Sequence, residues 1–276
     1  MKKIISWITV AVIATFMLSG CASKESDATV TVFAARSLNA VMDELISIYS
    51  KKNPTVNFIT NYESSGTLQN QIEEGAICDV FFSAAQSQMN NLEAKGYIVE
   101  GTRADIVNNR VCVVASKGSA TEVTGLNDIE KAKSLAIAAG SVPVGKYTRV
   151  ALVNLGKLEN TTDAATITTE EISKALGGVV INECANVGAV AVAVAEGANE
   201  VGTVYYSDYR GYEDRMDIIE IVPTECTGEV VYPAAVIRNT EATAADREAA
   251  IQFMRFLKSN EAKSIFQKYC FDVDMN

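Results

Sequence analysis

Two hydrophobic rhythms alternate along this chain. Thr29-Val-Thr-Val-Phe-Ala34 is a run of β-branched and apolar residues and predicts a strand. Behind it Leu38, Val41, Met42, Leu45, Ile46 and Tyr49 fall at i, i+3, i+4, i+7, i+8 and i+11, one face of a helix over 37–52. Asn53-Pro54 stops that helix. The cycle then repeats. Val56 to Tyr62 predicts a strand, and Ser65 to Glu74 a helix with Leu68 and Ile72 on one face and Gly75 as its C-terminal stop. Asp79 to Ser83 predicts a third strand. Such a βαβαβ run implies a parallel sheet covered by helices on both faces. The rhythm restarts after Asn109, with strands at 111–115, 135–138, 202–205, 218–222 and 232–237. Helices are expected at 147–155, closed by Gly156, and at 187–196, closed by Gly197, and two amphipathic ones at 245–257 and 261–269 end the chain. This order predicts an α/β fold of two lobes, each a mainly parallel sheet flanked by helices. Residues 29–109 form lobe one, 110–231 lobe two, and 232–276 return to lobe one.

The first residues follow another pattern. Lys2 and Lys3 precede an apolar run from Ile4 to Leu18, broken only by Ser6, Thr9 and Thr15. A membrane span needs about 20 apolar residues, so this shorter run reads as the core of a secretory signal peptide over 1–20. Leu18-Ser19-Gly20-Cys21 resembles the lipobox of bacterial lipoproteins. That resemblance implies cleavage before Cys21 and lipid attachment to it, with small and polar residues 21–28 as a tether.

Composition narrows the function. Without Lys2 and Lys3, 22 basic residues face 34 acidic ones, a net charge of −12. A nucleic-acid partner wants a basic surface and is not expected. The chain has no histidine, which excludes a Ser-His-Asp hydrolase and a His-ligated zinc centre by inventory. Five cysteines follow Cys21: Cys78, Cys112, Cys184, Cys226 and Cys270. An odd number cannot all pair internally. Cys112 reads as a buried small hydrophobe within an apolar strand. Cys184 and Cys226 are one candidate disulfide, which the sequence leaves open.

The chemistry concentrates where helices begin. Ser37, Ser64-Ser65-Gly66, Pro143-Val144-Gly145 and Asn186-Val187-Gly188 each open a helix after a strand or loop. Free backbone N–H groups point out of a helix start, and the dipole favours an anion there. At nominally about +0.5 charge each, four convergent starts match a dianion without any Lys or Arg. Taken singly, a serine at a helix start is an N-cap and Pro-x-Gly is a turn. Their joint order in an exported α/β protein favours a binding role.

Six motifs in order then resemble the molybdate-binding proteins of ABC importers, over nearly the whole chain after Ala28. They are Thr31-Val-Phe-Ala-Ala-Arg-Ser-Leu38, Tyr62-Glu-Ser-Ser-Gly-Thr-Leu68, Gly75-Ala-Ile-Cys-Asp-Val-Phe-Phe-Ser-Ala84, Val142-Pro-Val-Gly145, Gly202-Thr-Val-Tyr-Tyr-Ser-Asp208 and Ile265-Phe-Gln-Lys-Tyr-Cys-Phe271. The resemblance implies a periplasmic-binding-protein fold with the ligand in the cleft between lobes. It implies that Ser37 and Ser65 donate hydroxyl and N–H groups, that Val144 and Val187 give backbone N–H groups, and that Tyr205 closes the shell with its hydroxyl. It also implies a monomer without cofactor or catalysis, partnered by a permease and its ATPase.

The physics of that set is consistent with molybdate or tungstate. Both are fully deprotonated tetrahedral dianions that only accept hydrogen bonds. Hydrogen phosphate keeps a proton and needs an acceptor, so a shell made only of donors rejects it. Sulfate has the same bonding character and must be excluded by size. Two positions depart from the family: Arg36, read as solvent-facing, and Glu63, read as surface-exposed although strand alternation sets it on the side of Ser65. Three rival readings remain: sulfate or another oxyanion; ferric iron held by Tyr205 and Tyr206; and an exported enzyme using Ser37 or Ser65 with Lys146, without an SxxK element to support it.

Overall fold

The computed structural model describes residues 27–273. The expected signal peptide, Cys21 and the tether up to Ser26 lie outside that range.

Lobe one opens with strand β1 (Ala28–Ala35), helix α1 (Asn39–Lys52), β2 (Val56–Glu63), α2 (Ser65–Glu73), β3 (Val80–Phe82), α3 (Gln86–Ala94) and β4 (Ala104–Asn109). The chain then crosses to β5 (Val111–Ser116), β6 (Ser134–Ala138), α4 (Pro143–Asn154), α5 (Thr169–Ala175), β7 (Val180–Cys184), α6 (Val187–Ala195), β8 (Val201–Tyr205), α7 (Tyr206–Tyr209), β9 (Met216–Ile221) and α8 (Thr224–Thr227). It returns through β10 (Val230–Val236) and ends in α9 (Ala244–Leu257) and α10 (Asn260–Lys268). Strand order is β2-β1-β3-β10-β4 in one sheet and β7-β6-β8-β5-β9 in the other. In each sheet the strand that arrives by crossover, β10 or β5, runs antiparallel to both neighbours, while the other neighbouring pairs are parallel. The expected mainly parallel sheets are therefore present, each with one reversed strand. The crossing segments lie side by side: Val230 pairs with Asn109, and Val222 N–H donates to the Val111 carbonyl at 2.8 Å.

Burial explains the pattern of strands. β1 and β5 are buried along almost their whole length, as central strands between helical layers must be. The apolar face of α1 packs Val41, Met42, Leu45 and Tyr49 inward. Tyr49 of α1, Phe58 of β2 and Phe253 and Phe256 of α9 form one aromatic cluster with ring centroids 4.8–6.1 Å apart, so α9 seals lobe one. Helix starts are capped as their sequences dictate, by Thr168 on α5, Thr243 on α9 and Ser259 on α10. The five cysteines in this range are all free thiols, so the candidate Cys184–Cys226 bridge is not formed. Cys112 is fully buried as expected, and burial pushes its thiol up to about 12.

Candidate functional site

The four helix starts singled out in the sequence meet around one small cavity between the lobes. Its lining comprises Arg36 and Ser37, Ser64 and Ser65, Val142 and Pro143, Asn186 and Val187, and Tyr205, with Ala35 and Ala84. It encloses about 10 Å³, room for a compact ion or a water and too little for a sugar or an amino acid.

Each expected residue has a definite place. Ser37 sits in a single 3₁₀ turn, Arg36–Leu38, that runs straight into α1. Its Oγ lies 2.9 Å from the Tyr232 hydroxyl. Ser65 is the first residue of α2, and Ser64 is its cap, accepting from Thr67 N–H at 3.1 Å. The Ser65 Oγ accepts a hydrogen bond from Ala84 N–H at 2.9 Å. That bond occupies a lone pair and leaves the Ser65 hydrogen free to donate into the cavity. Val187 opens α6 behind Asn186, whose side chain accepts from Ala189 N–H at 3.0 Å. Val144 is the second residue of α4, behind Pro143. It is fully buried, and Val142 and Pro143 rather than Val144 line the cavity. What Val144 can offer is a backbone N–H of the first turn, which has no partner within the helix. Tyr205 ends β8 and is 1 % exposed. Its hydroxyl is buried with no protein partner. Burial, reinforced by the neighbouring Tyr232, pushes its phenol well above the usual tyrosine range, so it remains an O–H donor.

Close backbone approach fixes the cleft. A Cβ on Gly145 would fall 2.2 Å from the Ala139 carbonyl and 2.3 Å from that of Ala138, so only glycine lets α4 start here. A Cβ on Gly66, in lobe one, would fall 2.7 Å from the Ser141 carbonyl in lobe two. The lobes therefore touch beside the cavity.

Arg36 corrects its sequence reading. It is half-buried at the cavity wall rather than solvent-facing, with its side chain against Gly188 of the opposite lobe. Glu63 is half-buried, does not line the cavity, and accepts from Asn186 Nδ2 across the cleft at 3.4 Å. Tyr206 is also outside the lining. It lies beneath the Arg110 guanidinium, 4.7 Å from the ring centroid, so the adjacent tyrosines do not converge. Among the described residues, no three His, Cys, Asp or Glu side chains are placed to hold a metal. Lys146 forms an ion pair with Asp163 at 3.4 Å and is not part of the lining.

Four supporting residues escaped the sequence reading. Arg149 is 1 % exposed. It donates to the carbonyls of Ala138 at 2.9 Å, Gly145 at 3.0 Å and Ile167 at 2.8 Å, and its Nη2 meets Glu183 at 3.2 Å. It thus clamps β6 to the first turn of α4. Asp208 follows Tyr205 in α7, with Oδ2 buried and unpartnered. Burial raises its carboxyl to about 7, against opposing pulls from Tyr205 N–H and Arg36. Tyr232, on β10, and Asn109, at the end of β4, sit behind Ser37. Single buried polar residues, on helices as for Arg149 and Asp208 or on strands as for Tyr232 and Asn109, carry no local motif of their own, so only the fold discloses them.

Comparison with known proteins gives one family. Residues 30–272 match the model of bacterial extracellular solute-binding proteins. A Bacillus subtilis protein named as an ABC transporter substrate-binding lipoprotein is 28 % identical, the match covering 97 % of this chain and 98 % of that one. A molybdate-binding protein of Escherichia coli is 30 % identical over 88 % and 89 % of the two chains. A solved structure named as the substrate-binding domain of a molybdenum ABC transporter from Clostridium difficile superposes with a TM-score of 0.65. It is 30 % identical and covers 90 % of this chain and 100 % of its own.

Proposed function

Because the chain belongs to the bacterial extracellular solute-binding proteins, a family of binding proteins rather than enzymes, we propose that it captures molybdate, or tungstate, between its lobes for delivery to the permease of an ABC importer. The observation that carries this reading is the Tyr205 hydroxyl, buried without a protein partner on a cavity otherwise lined by serines and helix starts. Such a wall offers hydrogens and few lone pairs. A fully deprotonated tetrahedral dianion satisfies it, whereas a ligand with its own proton leaves that proton unpaired. Molybdate binding by the Escherichia coli relative adds weight.

Ser37 and Ser65 would donate from lobe one, and the N–H groups of Val144 and Val187 with the Tyr205 hydroxyl from lobe two. Bonds to a charged group contribute about 1.5–3 kcal/mol each. Five of them supply about 7.5–15 kcal/mol against the roughly 8 kcal/mol of micromolar binding, and any surplus offsets ordering and closure. A ligand bonded to both lobes stabilises the closed cleft over the open one. The lipobox-like segment adds the expectation that Cys21 carries lipid and holds the domain outside the membrane.

Isothermal titration of the mature chain with molybdate, tungstate, sulfate and phosphate tests this. One-to-one binding of the first two, with sulfate and phosphate at least a hundredfold weaker, is expected. Preference for sulfate would sink the ligand assignment, and silence with all four would sink the oxyanion reading.

A further inference from the structure

We propose that Asn109 and Tyr232 set the hydrogen-bond polarity of the site by holding the Ser37 hydroxyl so that its hydrogen, not its lone pair, faces the ligand. The inference rests on the oxyanion reading and concerns how that site tells a bare oxyanion from a protonated one.

The direction follows from counting hydrogens along a buried chain. Arg110 N–H lies 2.9 Å from Asn109 Oδ1. A backbone N–H only donates, so this contact fixes which end of the amide is oxygen. The amide nitrogen then has two hydrogens and two acceptors, Ser207 Oγ at 2.8 Å and the Tyr232 oxygen at 3.2 Å. Having accepted from Asn109, the Tyr232 hydroxyl has one hydrogen left to give. The Ser37 Oγ stands 2.9 Å away. Either oxygen could be the donor in that contact. Among the described residues, however, Ser37 is the acceptor bonded to Tyr232, so donation to Ser37 is the arrangement that leaves no buried Tyr232 hydrogen unpaired. The Ser37 hydrogen is then directed elsewhere, on a side chain that lines the cavity. Asn109 is 2 % and Tyr232 0 % exposed, so bulk water does not compete for these bonds. Ser65 reaches the same state by a shorter route, through Ala84 N–H.

Both serines thereby have one lone pair taken by a protein donor, which biases the hydroxyl hydrogen toward the ligand. A serine without such a partner rotates and offers a lone pair to any ligand that brings a proton. Asn109 and Tyr232 disfavour that option at Ser37 without touching the ligand, which makes them positioning residues for selectivity. Asn109 also bonds Ser207, two residues beyond Tyr205, so one amide fixes groups behind the donors of both lobes.

The test is titration of the mature chain with molybdate and, by competition, with phosphate, for the unaltered protein, Tyr232→Phe, Ser37→Ala and the double variant. Tyr232→Phe keeps the ring and removes the hydroxyl. About tenfold weaker molybdate binding and stronger phosphate binding are expected, so the ratio between the anions narrows. In the Ser37→Ala background the same change should add nothing, because the relay acts through Ser37. Equal weakening of both anions, or the same loss with and without Ser37, would overturn the proposal and leave Tyr232 a packing residue. A second variant, Asn109→Asp, presents acceptors where the amide presented hydrogens. Tyr232 then donates to it, Ser37 donates to Tyr232, and a lone pair turns to the ligand. Molybdate should suffer more than in Tyr232→Phe, and a smaller loss would also count against the relay. If the unaltered protein binds no molybdate, the ligand reading fails, and that result is visible before any variant is compared.

Discussion

Replacing Tyr205 by phenylalanine separates binding from folding. The ring is 1 % exposed and packs edge-on against Tyr232, centroids 5.6 Å apart, and phenylalanine keeps that contact. The hydroxyl has no protein partner, so its removal breaks no internal hydrogen bond and relieves the cost of burying an unpaired polar group, about 1–3 kcal/mol at most. The ligand-free variant should melt no lower than the parent, and a rise of a few degrees is the expected direction. Toward the dianion the change removes one charge-assisted bond, about 1.5–3 kcal/mol, which is about 10- to 150-fold in affinity at about 1.4 kcal/mol per tenfold. Titration calorimetry reads the affinity, and the ligand-dependent rise in melting temperature reads it again through mass action. The two effects have opposite signs, which few substitutions at a buried site share. Molybdate binding within twofold of the parent would refute the reasoning, since Tyr205 would then not contact the ligand. A large drop in ligand-free stability would refute it differently, by showing that the hydroxyl is paired within the protein.

Further predictions use other walls of the site. Gly66→Ala places a Cβ 2.7 Å from the Ser141 carbonyl of the opposite lobe, so it should oppose closure and weaken molybdate binding at least tenfold with the ligand-free fold intact; unchanged affinity and an unchanged radius of gyration in the bound form would count against a closing cleft. Arg149→Met strips donors from the carbonyls of Ala138, Gly145 and Ile167 and should cost about 3 kcal/mol or more in urea denaturation, a loss below about 1 kcal/mol showing that the clamp is dispensable. Asp208 is raised to about 7 by burial, so the folded state keeps a proton that the unfolded chain gives up near pH 4. Its contribution to stability is full below pH 4 and is lost as pH rises to about 7; Asp208→Asn should remove that slope from the pH–stability profile, and an unaltered slope would assign it to other groups.

The lobes were legible because their signals are periodic and local. The α1 face, the Gly75, Gly156 and Gly197 stops and the β-branched strands each lie within a dozen residues. Helix α3 was not legible because only Met89 and Leu92 are buried in it, too few to mark a period. Strand β7 was missed because it is largely exposed at a sheet edge and lacks a clean alternation. The cavity wall was legible through its helix starts, where sequence and backbone geometry coincide. Arg36 was misread because a residue beside a serine loop has no periodic partner to fix its direction; the position of Gly188, about 150 residues away in the chain, decides it. Arg149 shows the same limit, being a charged residue on the buried side of α4, where its partners are carbonyls that no side-chain pattern announces.

On the oxyanion reading proposed above, the site also accounts for how an acidic chain would hold a dianion. The net charge is −10, and the lining holds one cation, Arg36, while Lys146 is engaged by Asp163. Attraction between whole molecules cannot supply the affinity, since charges beyond about 8 Å are screened at physiological salt. Oriented O–H and N–H dipoles act at contact range and are indifferent to net charge. They also make release feasible. With the proposed donors divided between lobes, neither half alone would enclose the anion, so parting the lobes would remove about half of the bonds at once and return those donors to water. A ligand held by a few charged side chains on one lobe would keep them through the opening. A shell divided in this way would tie affinity to closure, so whatever opens the cleft would also unload it.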